Sequence, residues 1–153
     1  MGMIFAGRRL TSEQARDLAT DPSLLETRGE AEVDLDKAWH GIHFLLAGNA
    51  WETTPGAGEA VLGGDPIAEE EGHDARLLTP DQVAAIAAGL RDVDAAALRS
   101  RYDAAALKEA EIYPGIWDED DVLDTYLLPN FDKLRSFYLT AAGQHQAVLL
   151  TIA

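Results

Sequence analysis

Two short apolar runs stand near the ends of the chain, Met3 to Ala6 and Ala147 to Ile152, and between them apolar residues recur at helical spacing. Runs of this length, the first bounded by Gly7 and two arginines, read as β-strands. Strands so far apart in sequence, with helices between them, predict an α+β fold: a small mixed sheet holding the N- and C-terminal strands, packed by several helices. A chain of 153 residues fits one domain, residues 1–153, better than two. Hydrophobic residues make up 47% of it and charged residues 25%, proportions that support one core without staples. No cysteine is present, which excludes disulfides, thiolate zinc sites, iron–sulfur clusters and cysteine nucleophiles.

Local signals divide the middle of the chain. Thr11 and Gln14 form one capping-box pair and Thr79 and Gln82 another, the second with Pro80 at the first helical position; in such a box hydroxyl and amide each satisfy an orphan backbone donor. Further helices are expected from Asp94 and Asp103, and the acids Asp118 to Asp121 are expected in the first turn of another, where the helix dipole favours them. Pro129-Asn130 is expected to reset the chain before a last helix carrying Phe131, Leu134, Tyr138 and Ala141. Glu26 to Glu32 reads as loop with a short strand. Glu52 to Asp74, where Gly and Pro recur, reads as a long loop with one turn of helix, Glu69 to Glu71 as a solvated face, and Arg76 to Leu78 as a short strand.

The segment Leu35 to Gly48 is expected to be a helix capped by Asp34 and stopped at Gly48-Asn49. At about 100° per residue, Leu35, Trp39, Ile42 and Leu46 share its core face, with His43 at the edge and His40 farther round on the surface. Asp36, His40 and His43 then follow i, i+4, i+7 spacing, which lines a carboxylate and two imidazoles along one side. Such a set holds a metal, or lets Asp36 orient a histidine base. The simpler expectation is structural: Trp39 and His43 dock the helix, and the His43 ring bonds a carbonyl or carboxylate. Four histidines are present, His40, His43, His73 and His145, without a standard ligand spacing, so neither a metal site nor a cofactor is expected.

In order along the chain, DLDKAWHGIHFLLAG, EAVLGGDP, LTPDQVAAIAAGL, EIYPGIWD and LLPNFDKLRSFY resemble the YfbM-like bacterial proteins, a family of unknown function. The resemblance implies one α+β domain with a small sheet and several helices, and it implies no reaction. Some relatives are associated with toxin–immunity gene neighbourhoods, which brings in an immunity-protein-like reading.

The formal charge is −15, from 27 acidic and 12 basic residues. A surface of that sign repels nucleic acid and anionic lipid and attracts a cationic partner protein. The N-terminus shows no signal-peptide pattern and no apolar run is long enough to span a bilayer, so a cytoplasmic location is expected. Glu111 and Tyr113 precede a Pro-Gly turn and Trp117, and with Trp39 these aromatics are candidates for a cleft wall; the favoured reading is a rigid aromatic corner, which explains the motif without any ligand. Two functions follow as expectations. The first is a non-enzymatic acidic protein-binding module. The alternative is a small hydrolase-like or ligand-binding enzyme with a His/Glu/Tyr cleft using Asp36, His40, His43, Glu111 and Tyr113.

Overall fold

A computed structural model describes residues 3–27, 31–68 and 74–153. Its centre is a five-stranded sheet in the order β2-β1-β5-β4-β3, built from β1 (Phe5–Leu10), β2 (Val33–Asp36), β3 (Asp65–Ala68), β4 (Asp74–Leu78) and β5 (Ala147–Ile152). The terminal strands β1 and β5 pair along their full length, from Phe5 opposite Ile152 to Leu10 opposite Ala147. Every ladder is antiparallel, where a mixed sheet was expected. No right-handed crossover joins neighbouring strands, and antiparallel pairing is the arrangement that does without one.

Alternation along the strands divides the core in two. Phe5, Leu78, Val148, Leu150 and Ile152 face the larger core, under α2 (Trp39–Ala47), α3 (Pro80–Arg91) and α6 (Leu128–Gly143). Leu10, Ala75, Ala147 and Leu149 face the smaller one, closed by Leu18 of α1 (Ser12–Thr20). The capping boxes at Thr11 and Thr79 form with both of their bonds. Asp94 and Asp103 cap α4 (Ala95–Arg101) and α5 (Ala104–Glu109).

Further expectations change. Asp118 to Asp121 lie in turns ahead of Val122, not in the first turn of a helix. Asp34 does not cap a helix: Val33–Asp36 is strand β2, the Asp34 carboxylate accepts the Asp36 N–H at 2.6 Å, and α2 begins only at Trp39. The Gly/Pro-rich stretch from Glu52 holds a 3-10 turn at Gly56–Glu59 and the edge strand β3; Pro66, which has no N–H to give, sits where an edge strand tolerates it. The chain does not reset at Pro129. A π-turn over Leu123–Leu127 runs straight into α6, and its wider ring relieves the clash a proline makes with the preceding turn. Glu69, Glu70, Glu71 and His73 lie outside the described residues.

Candidate functional site

Helix α2 is buried on nearly every side: Trp39, His40, Gly41, Ile42, His43, Leu45 and Leu46 are all enclosed. His40 therefore has no solvent face, contrary to the surface position expected for it, and its exposure is 0%. Gly48, at φ 84°, ends the helix with its N–H on the Phe44 carbonyl. Asn49 then folds the next turn, its side-chain oxygen accepting the N–H groups of Trp51 at 3.1 Å and Glu52 at 2.5 Å. This turn brings the Ala50 carbonyl 2.8 Å from His40 Nε2. On the other side of the ring, the Tyr113 backbone N–H donates to His40 Nδ1 at 2.9 Å. An amide N–H can only donate, so Nδ1 is unprotonated and Nε2 carries the hydrogen that Ala50 accepts. Burial lowers the His40 pKa below its ordinary 6.5, and the Ala50 carbonyl opposes that.

Sequence spacing places His43 beside His40, but the surroundings of the two rings differ. His43 is 1% exposed, and neither ring nitrogen has a hydrogen-bond partner among the described residues. Its pKa falls to about 4, first through burial and then through its coupling to the neighbouring His40 ring and the Arg76 guanidinium; the Glu52 backbone opposes the shift without closing a bond of ordinary geometry. Arg76, itself buried, gives its guanidinium to the carbonyls of Gly63 at 2.8 Å and Val61 at 2.9 Å and to Asp74 at 3.0 Å. Beside it, the Tyr138 hydroxyl donates to the Ala60 carbonyl at 2.6 Å, and burial drives its pKa upward. Arg76 and Tyr138 thus tie the irregular segment 60–63 to the sheet and to α6.

Asp36 belongs to a different cluster. At φ 51° it leaves strand β2, and its carboxylate accepts the Tyr126 hydroxyl at 2.9 Å, which in turn accepts the Lys37 N–H at 2.9 Å. Burial, and then the bond to Asp36, push the Tyr126 pKa to about 12. Tyr113 is half-buried; its hydroxyl accepts the Met3 N–H at 2.9 Å, and its ring lies 5.8 Å from that of Trp39. The Trp39 indole donates to the Met3 carbonyl at 2.9 Å. Glu111 is exposed, at φ 56°. Trp117 is 3% exposed and bonds the Ile112 carbonyl at 2.8 Å; a Cβ on Gly41 would come within 2.6 Å of its ring.

Of the five polar candidates, then, His40 and Tyr113 meet through a backbone amide, Asp36 pairs with Tyr126, His43 is enclosed near Arg76, and Glu111 stands in solvent. Of the aromatic candidates, Trp39 and Tyr113 pack together while Trp117 locks α2 from the core side. Among the described residues no three His, Asp or Glu side chains converge as metal ligands. An open cleft of about 470 Å³ lies elsewhere, between β2 and α6, lined by Arg9, Glu32, Asp34, Lys133, Ser136 and Thr140 among others; Arg9 and Glu32 pair across it at 2.5 Å. Sequence reasoning passed over Trp51, whose ring lies 4.3 Å from His40 and 6.4 Å from Trp39. The signal for it was Asn49, a turn-former directly after the helix stop.

This arrangement has relatives. The family model described as a domain of unknown function, DUF1877, matches residues 1–151. The chain belongs to this family. Protein YfbM of Escherichia coli (strain K12) is 30% identical over 167 residues, covering 99% of this chain and 99% of YfbM. The crystal structure of YfbM from Escherichia coli, described as a protein of unknown function, superposes with a TM-score of 0.76 at 26% identity and covers 100% of both chains. The family carries the α+β fold described above. No helix among the described residues is long and apolar enough to cross a membrane.

Proposed function

We propose that this chain is a non-enzymatic, cytoplasmic bacterial binding module whose acidic surface meets a basic region of another protein. The observation that supports this reading most is what the fold does with its histidines. A general base needs a ring nitrogen within reach of its substrate's proton. His40 spends both nitrogens on backbone groups, and the His43 ring is shut away from solvent. The enzyme alternative asks Asp36, His40, His43, Glu111 and Tyr113 to share one opening, and here they are divided among separate surroundings. What remains as a whole-molecule property is the formal charge of −15, which steers a cationic partner toward the surface and repels nucleic acid.

The test is reconstitution. A protein captured at low salt is purified separately and titrated against this chain at rising ionic strength. The reading expects a basic partner whose affinity falls steeply as salt shortens the screening length from about 10 Å at 0.1 M. A salt-indifferent complex with a neutral or acidic partner contradicts it, as does turnover of a small substrate that His40→Gln abolishes while the fold is kept.

A further inference from the structure

We propose that Trp51, with the glutamates of its own turn and of the Glu111–Tyr113 stretch, is the docking point for an arginine-bearing segment of that basic partner; the inference rests on the binding-module reading and gives it a location. Among the described residues the exposed large hydrophobics are Met3, Ile4 and Trp51, and Trp51 is the most open at 62%. Its position is fixed by the fold. Asn49 holds the turn that carries it, and its ring rests on His40 and Trp39. Trp39 is held in turn, with Tyr113, on the Met3 backbone. A rigid, exposed indole on a buried aromatic base loses little entropy on binding, which is the property of an interface anchor.

Charge decides what the anchor suits. Glu52 follows Trp51 directly, and Glu111 lies two residues before Tyr113, whose amide donates to His40; both are exposed. An apolar partner side chain laid on Trp51 would leave the neighbouring glutamates without a charge partner as water is displaced, at a cost. A guanidinium avoids that cost: it stacks on the electron-rich indole face, is weakly hydrated, and bonds carboxylates through its planar fork.

The three indole N–H groups provide the readout. Those of Trp39 and Trp117 are bonded to the carbonyls of Met3 and Ile112, so both serve as internal reports on folding, and Trp51→Phe assigns the third. The full chain is titrated with an oligoarginine peptide at low salt. A saturable shift of the Trp51 indole signal, with the other two nearly still, supports the proposal. So does a loss of affinity of about tenfold or more in Trp51→Ala. Glu52→Gln combined with Glu111→Gln, which leaves the ring in place, should weaken binding several-fold and flatten its salt dependence. Saturable binding that both variants leave unchanged overturns the docking point and leaves the acidic module standing. No saturable binding by the parent at low salt overturns both. Self-association of the parent that Trp51→Ala abolishes assigns the patch to a second copy and overturns the arginine occupant.

Discussion

Replacing His40 by alanine should be among the most damaging single changes in the molecule, although spacing alone marks that residue as a surface position. The substitution strands the Tyr113 N–H and the Ala50 carbonyl, each now bonded to the ring at 2.9 and 2.8 Å. A buried polar group left without its partner costs about 1–3 kcal/mol. Ala50 and Tyr113 are themselves half-buried, so water can reach the stranded groups once the ring is gone and each belongs at the lower end of that range. The ring also stacks on Trp39 at 5.1 Å and meets Trp51 at 4.3 Å, contacts worth about 0.5–1.5 kcal/mol for an aromatic pair. Together these give a loss of about 3–5 kcal/mol, a large part of the 5–15 kcal/mol that typically holds a domain folded. His40→Gln, which keeps one donor and one acceptor, should recover part of it. Urea titration followed by circular dichroism measures both, with the slope checked for constancy. A His40→Ala protein within about 0.5 kcal/mol of the parent, the range of an ordinary surface substitution, would refute the argument.

His43→Leu should be neutral or stabilising in the same assay, because it removes two buried nitrogens that lack partners among the described residues and keeps an apolar filler in their place; a loss above about 2 kcal/mol would reveal a partner for the ring. The pH dependence has a definite sign. Burial lowers the pKa of both His40 and His43, so the unfolded chain binds protons that the folded chain does not, and their contribution to stability is complete above the ordinary 6.5 and lost as pH falls below it. For His43, whose value drops to about 4, the difference amounts to about 3 kcal/mol, and unfolding free energies measured between pH 7 and pH 4 should show a decline that His43→Leu makes shallower. Gly41→Ala should destabilise by about 1–3 kcal/mol, the usual cost of overpacking, since the added Cβ meets the Trp117 ring at 2.6 Å and Leu127 at 3.1 Å; thermal melting checks this, and an unchanged midpoint would contradict it.

What the sequence made legible was local. Thr11, Thr79, Asp94 and Asp103 announce helix starts through bonds to residues two or three positions away, and those bonds form as expected. The terminal strands declare themselves by composition and pair in one sheet, but β1 starts at Phe5 and runs on through Gly7 and both arginines to Leu10, residues expected to bound a strand at Met3 to Ala6. Misreadings came where distant contacts decide. Asp34-Leu35-Asp36 is too short to separate a helix cap from an edge strand, and its pairing with β1 settled the matter. The helical angles ordered the faces of α2 correctly around Trp39 and Ile42, but in a helix enclosed on nearly every side His40 has no surface face to occupy. His40 takes its partners from Ala50 and from Tyr113, 73 residues away, and no spacing rule reaches that far. The helix continues through Pro129 because the π-turn before it absorbs the ring, a compensation that lies outside propensity.

The central claim is that the histidines a reader would nominate for chemistry are held by the fold. Nitrogen-15 NMR of the imidazole rings, followed across pH 5 to 8, tests it most directly by reporting the tautomer and titration of His40. His40 should show a single neutral tautomer with the hydrogen on Nε2, a scalar coupling across the bond from the Tyr113 amide to Nδ1, and no titration near the ordinary value of 6.5. A His40 ring that titrates freely near 6.5 with interconverting tautomers would contradict the account and return the enzyme reading to first place.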